Sequence, residues 1–276
     1  MEYDPPRFLH PVGEPGCTPT RDLRTPTCCT EAVTAHIDLR ELGSLGGFFA
    51  LCDLTEAESD LPALGRVYQS DAPVRDPLAY RVEKVARALS VPEPRVAVSV
   101  AQLGLAARLW SLSLGSAALF GRVLDLDPAL LHWNPDAAAP DDLFLSGTGH
   151  LPADGAHIAE LVLGRHLEPL SAALRARYRV SAALLRGNAG SALAGAAREI
   201  SRWARRAGRP DVAARARLLT TELFEDPRLA ATGTRTGTAF RRTSCCLIYR
   251  APGGGLCGDC CFERPPQHSS PPAASG

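Results

Sequence analysis

The sequence predicts a mainly α-helical protein with a few short strands, a helical scaffold that carries a cysteine-rich loop near its C-terminal end. Three observations lead there. Apolar residues recur at helical spacing in several segments, two of them opened by Asp76-Pro77 and Pro210-Asp211. The segment from Val96 to Gly121 is almost uncharged. Five of the nine cysteines fall between Cys245 and Cys261. An apolar fraction of 45% is ordinary for a chain with a sizeable core, and 276 residues suffice for one large domain or two small ones.

Taken in order, residues 1–27 are rich in Pro, Gly and Thr without periodicity and read as an extended or disordered arm. An N-terminal helical half is expected over 28–135. It begins with the adjacent Cys28 and Cys29, which lack a C-x-x-C partner and read as packing residues. Val33, Ala35, Ile37 and Leu39 alternate with polar residues in strand fashion until Gly46-Gly47 interrupts them. Thr55 and Glu58 have capping-box spacing, and Pro62 keeps any helix there short. Asp76-Pro77 opens a helix with Leu78, Val82, Val85 and Leu89 on one face, closed by Pro92 and Pro94. The apolar segment from Val96 to about Leu124 follows. Its length would span a bilayer, but Arg108, Gln102 and three serines interrupt it, so it reads as the central core helix, with peripheral membrane contact left open.

The Pro, Asp, Gly and Ala texture of 132–155 around Leu143-Phe144-Leu145 predicts a loop or hairpin and a boundary between the halves. A C-terminal helical half is expected over 136–228. Ile158, Leu161, Val162, Leu167, Leu170 and Leu174 form one stripe, with Pro169 as a kink or break. A helix from about Ala189 to Ala207 carries Leu193, Ala197, Ile200 and Trp203, and another runs from Pro210 to before Pro227 with Val212, Leu219 and Leu223. Trp110 and Trp203 lie on apolar stripes and read as core. Residues 226–243 dissolve into Gly, Thr, Ala and Arg, a connector to the cysteine segment at 229–263, and 264–276 read as a disordered tail.

The net charge of zero argues against a nucleic-acid surface. A single lysine, Lys84, among many arginines and alanines reads as the coding bias of a GC-rich genome. The first residues show no basic stretch followed by an apolar run, so a reducing, cytoplasmic compartment is expected, where clustered cysteines hold metal or do redox work.

The cysteine segment has the pattern C-C-x₁₀-C-x₂-C, with Pro252 and Gly253-Gly254-Gly255 midway to reverse the chain. Three kinds of chemistry compete for it. A zinc site needs two chelating cysteine pairs, and adjacent cysteines bite one ion poorly. A dithiol redox motif at Cys257-Gly258-Asp259-Cys260 normally opens a helix of a βαβ unit, which the sequence does not predict. An iron–sulfur cluster is a larger object, with each iron of a [2Fe–2S] rhomb held by one cysteine pair, and its spacing fits best.

The segment from Arg241 to Cys260 resembles the C-terminal signature of the FhuF-type ferric-siderophore reductases. Upstream, Leu184 to Leu193 is similar to a Gly-Asn-x-x-Ser-Ala-Leu element of the same family. The resemblance implies a [2Fe–2S] cluster on Cys245, Cys246, Cys257 and Cys260, and one-electron reduction of ferric siderophore iron with release of Fe(II). Cys261 departs from that pattern and reads as a bystander thiol.

Arg241, Arg242 and Arg250, with the N–H groups of Gly253 to Gly255, are candidates to offset the cluster's negative charge. Asp259 would oppose them or cap a turn. Gly187 and Asn188, placed at a helix start, are candidates to present N–H groups and an amide to cluster or chelate, or to cap a helix–helix turn. No G-x-G-x-x-G follows a strand, so electrons are expected from a partner such as a ferredoxin or flavoprotein reductase. No acid, base or nucleophile is assigned. His150, His157 and His166 read as surface or capping residues, and the pattern gives no role to Cys17 or Cys52.

Overall fold

The molecule is organised around a buried helix, α4 (Pro94–Phe120), in a computed structural model that describes residues 37–69 and 76–266. Pro94 occupies the first turn, where its missing N–H costs nothing, and Gly121 ends the helix at φ 66. The helix is long and apolar enough to cross a membrane, but 78% of its apolar window is buried inside the fold. Trp110, Leu109, Leu112 and Leu114 are completely buried, each such side chain contributing about 2 kcal/mol by leaving water.

Helices α3 (Pro77–Ala88), α7 (Ala182–Ala207) and α8 (Pro210–Glu225) all pack on α4. The Asp76 carboxylate caps α3 by accepting from the Leu78 N–H at 2.9 Å. Between α4 and α7 the chain runs through short strands β2 (Arg122–Leu124), β3 (Leu131–Trp133), β4 (Leu143–Leu145) and β5 (His150–Pro152). β3 and β4 form the hairpin expected around Leu143, Leu131 facing Leu145, and β1 (Cys52–Asp53) adds to β4 in parallel. β2 and β5 pair antiparallel. All described residues fall within one compact unit, Ala35–Gly276.

The stripe from Ile158 to Leu174 is helical throughout, with α-helix at Gly155–Ala159 and at Glu168–Arg177. The break expected at Pro169 takes the form of a π-helical stretch over Glu160–Leu167. Widening the turn ahead of a proline that cannot donate keeps the apolar stripe continuous.

Four expectations are corrected. Of the strand expected through Val33, Ala35, Ile37 and Leu39, the first two lie outside the described residues, and Leu39 opens a helix instead, α1 (Leu39–Gly43), followed by a 3-10 turn at Gly47–Phe49, because the Asp38 carboxylate caps the first and Gly46 at φ 137 starts the second. Helix α7 begins at Ala182, with Ser181 as its cap, well before the expected Ala189. The connector after α8 is ordered as a short helix at Pro227–Ala230 and a hairpin of β6 (Gly233–Thr236) and β7 (Ala239–Arg242), turned by Gly237 at φ 61. His166 is no surface residue: it is fully buried, joined through Nδ1 to the Tyr68 hydroxyl at 2.8 Å and through Nε2 to Leu126 O at 2.7 Å. Burial pushes its pKa down to about 4. Cys17, Cys28, Cys29, the arm at 1–27 and nearly all of the tail lie outside the described residues.

Arg108, the one charge in the apolar segment, is also completely buried. Its Nε donates to Asp142 at 2.8 Å and its Nη1 to the carbonyls of Phe48 and Gly47 at 2.6 and 3.0 Å. A guanidinium with five donors ties a carboxylate and a loop to the helix at once.

Candidate metal centre

The cysteine segment reaches its place on the β6–β7 hairpin. Phe240 of β7 stacks on Phe224 of α8 with centroids 5.4 Å apart and fixes the hairpin to the scaffold. Beyond β7, Thr243 N donates to Thr232 O at 3.0 Å, and Arg242 N donates to Asp259 O at 3.0 Å. The second bond draws the C-x-x-C turn back beside the adjacent pair, so both ends of the segment meet.

Two conformations let adjacent cysteines face one centre. Leu247 adopts φ 67, a left-handed position that costs a side chain roughly 1 kcal/mol, and turns the chain sharply behind Cys246. Gly253 at φ 70 makes the reversal that the glycine run predicted. The Gly254 N–H donates to Ala251 O at 2.7 Å, so that group of the run closes the turn. Tyr249 and Phe262 meet edge to face at 5.9 Å and clasp the two ends of the loop.

The sulfurs lie near one another. Cys246 neighbours Cys257 across the loop, Cys245 neighbours Cys261, and Cys260 lies near enough to act electrostatically on Cys245, Cys257 and Cys261. Cys246 is buried, while the other four thiols are part-exposed. The Cys257 hydrogen bond, helped by the Ile248 N–H and the Arg242 charge, lowers the Cys246 pKa to about 6. The same bond holds the proton on Cys257 and raises its pKa. Burial raises Cys245 to about 11 despite a 3.2 Å hydrogen bond from the Leu247 N–H, and it raises Cys261 as well. Phe262 N donates to Cys260 Sγ at 3.4 Å.

These residues fit a [2Fe–2S] group. The donors are soft thiols arranged as two pairs across a loop, and backbone N–H groups point at Cys245 and Cys260. Among the described residues, no three His, Cys, Asp or Glu side chains are grouped to hold a single metal ion. A rhomb asks for two thiolates per iron, a different demand.

The candidate supporting residues separate. Arg242 is 3% exposed, donates to Ser244 O at 2.9 Å and Leu184 O at 3.2 Å, and acts on Cys246 and Cys261. Its Nη1 has no partner. Arg241 is exposed and turned to Cys261 O and Glu263. Arg250 is ion-paired with Glu93 at 2.7 Å, beside the start of α4, and lies over the Tyr249 ring.

Gly187 lies where the segment touches α7: a Cβ there would collide with Ser244 Oγ and come within 3.0 Å of Arg242 Nη2. Asn188 sits inside the helix, not at its start, and is fully buried. Its amide donates to Ser99 O and Gln102 Oε1, both at 2.9 Å, so it ties α7 to α4 and neither caps a turn nor reaches the sulfurs.

Sequence reasoning missed the clamp that seats the C-x-x-C turn. The buried Asp259 carboxylate accepts from Ser191 Oγ at 2.5 Å and from Arg198 at 3.0 Å, both on α7. Ser191 and Arg198 lie two helical turns apart on one face, a legible spacing, but nothing in the chain pairs them with Asp259. Cys52 lies on β1 near Asp141 and Glu58. His150 and His157 are exposed, beside Arg122 and Asp154.

Residues 242–262 match the model of the FhuF 2Fe-2S C-terminal domain. No curated protein matches the chain. The match covers the four cysteines and Arg242, and it supports a [2Fe–2S] cluster as the cofactor of this segment.

Proposed function

We propose that this protein reduces ferric siderophore iron by one-electron transfer in the cytoplasm, with electrons supplied by a partner protein such as a ferredoxin or flavoprotein reductase. The observation that carries the reading is the match at residues 242–262, on thiols that lie near one another at a part-exposed rim of the fold.

A [2Fe–2S] cluster held by Cys245, Cys246, Cys257 and Cys260 supplies one electron at a time. One electron is what the chemistry asks for: Fe(III) bound by hard oxygen donors becomes Fe(II), a weaker Lewis acid that the chelate releases. The chain's part is to hold and tune. N–H groups and the Arg242 guanidinium stabilise negative charge at sulfur and favour the reduced state. The Asp259 clamp and the Tyr249–Phe262 contact fix the loop. Partial exposure of Cys257 and Cys260 lets a bulky acceptor approach.

The test is anaerobic purification, a visible absorption spectrum, then stopped-flow mixing of the dithionite-reduced protein with ferric siderophores. Cluster absorption followed by Fe(II) release is expected. Tetrahedral zinc without visible absorption would instead describe a zinc-stapled binding or assembly protein. A cluster that reduces no chelate would describe an iron or redox sensor.

A further inference from the structure

A groove of about 590 Å³ opens between α4, α7 and the Gly46–Phe49 loop, and one end of it is Cys257. That volume lies within the range of small-molecule sites. Its walls are mostly apolar: Leu103 and Ala107 from α4, Ala192 and Ala196 from α7, and Phe48, whose ring is 46% exposed. The buried Arg108 holds the loop that carries Phe48 through the Phe48 carbonyl, which explains why a charge interrupts the apolar segment.

Two glycines inside the facing helices keep the groove open. A Cβ at Gly104 would meet nothing within 4 Å, and one at Gly195 would meet only Arg198 Nη2 at 3.9 Å. Glycine inside a helix costs about 1 kcal/mol relative to alanine, and here no neighbouring atom of the protein requires it.

The polar end adjoins the sulfur site, since Cys257, Gly258 and Asp259 line it. Arg242 lines the groove beside Cys257 and is 3% exposed; its Nη1, which has no hydrogen-bond partner, is sealed from the groove. The other charges at this end are matched, Arg198 by Asp259 at 3.0 Å and Glu199 by Arg202 at 2.6 Å.

We propose that this groove binds the electron acceptor, a compact metal chelate with an apolar body, which lies against the walls of α4 and α7 with its metal seated beside Cys257. The proposal rests on the ferric-siderophore reading and gives its substrate a place.

Gallium(III) serves as the probe because it takes the same oxygen ligands and cannot be reduced in the assay. Gallium(III)-loaded tris-hydroxamate and tris-catecholate siderophores are titrated against wild type and against Gly104→Leu and Gly195→Leu, with the cluster present. Saturable binding of at least one probe to wild type is expected, weakened at least tenfold in both variants. Their visible spectrum and thermal stability should match or exceed wild type, because a Cβ at either position meets nothing closer than 3.9 Å and leucine is the better helix former. Stopped-flow oxidation of the reduced variants by the iron(III) form of the same siderophore should slow in parallel. If both filled variants bind and oxidise as wild type does, the groove is overturned while the reductase reading stands. If wild type reduces no siderophore and binds no gallium form, the reading fails and the groove assignment falls with it.

Discussion

Gly187→Ala tests how the cysteine segment is seated on α7. In an isolated helix the change would stabilise by about 1 kcal/mol. Here the new methyl collides with Ser244 Oγ. Turning that hydroxyl away breaks its 2.9 Å bond to Ala183 O, a loss of about 1 kcal/mol, and overpacking adds roughly 1–3 kcal/mol. The balance is a net loss on the order of 1–3 kcal/mol, which lowers the apparent Tm of a domain this size by roughly 2–12 °C. Ser244→Ala removes the obstructing atom, and the next nearest is Arg242 Nη2 at 3.0 Å, the end of a longer side chain. Adding Gly187→Ala to that background should therefore cost nothing or stabilise. Apparent Tm and visible absorbance per protein, across the four combinations, give the coupling. If Gly187→Ala alone raises Tm and leaves the spectrum intact, the close approach at Ser244 is not what requires glycine.

Four shorter expectations follow. Replacing Cys245, Cys246, Cys257 or Cys260 by alanine abolishes the visible absorption, whereas Cys261→Ala retains it; loss of the spectrum in Cys261→Ala would make that thiol a ligand. The His166 imidazole is held neutral, with a folded pKa of about 4 against 6.5 when free. Its contribution of roughly 3 kcal/mol is therefore complete above pH 6.5 and disappears as the pH falls through 4; urea midpoints between pH 7 and 4 should decline, with a shallower decline in His166→Gln. Arg242→Gln removes a buried positive charge beside Cys246 and lowers the reduction potential, while Arg250→Ala breaks the Glu93 pair and the contacts to Tyr249 and leaves the potential in place; redox titration separates the two. NADH alone should reduce no chelate, and turnover in that assay would remove the need for a partner protein.

The helical frame was legible because its signals are local. Asp76-Pro77, the stripe through Val212, Leu219 and Leu223, and the uncharged run around Trp110 each specify an element without reference to the rest of the chain. The hairpin at 233–242 was hidden by its thin apolar content: Phe240 and Arg242 are its buried strand residues. Gly237 between two alternating runs was the available signal. At the centre, cysteine spacing announced the sulfurs, but not which arginine accompanies them. That choice depends on Glu93 drawing Arg250 away and on Leu184 O holding Arg242 in place, and both partners lie far along the chain. Asn188 was misplaced for the same reason. Its partners Ser99 and Gln102 belong to another helix, and an amide that links two helices looks in sequence like one that caps a turn.

The four expected sulfur ligands all come from one short stretch whose ends are already joined by Arg242 N to Asp259 O and by Tyr249 against Phe262. Four ligands drawn from one such stretch close a smaller loop, at a lower cost in chain entropy, than four drawn from distant segments. The helical body keeps its own apolar interior in α4, α7 and α8, and no cysteine belongs to it. A cluster held by these sulfurs would therefore be attached to one part of the scaffold, not built into its middle.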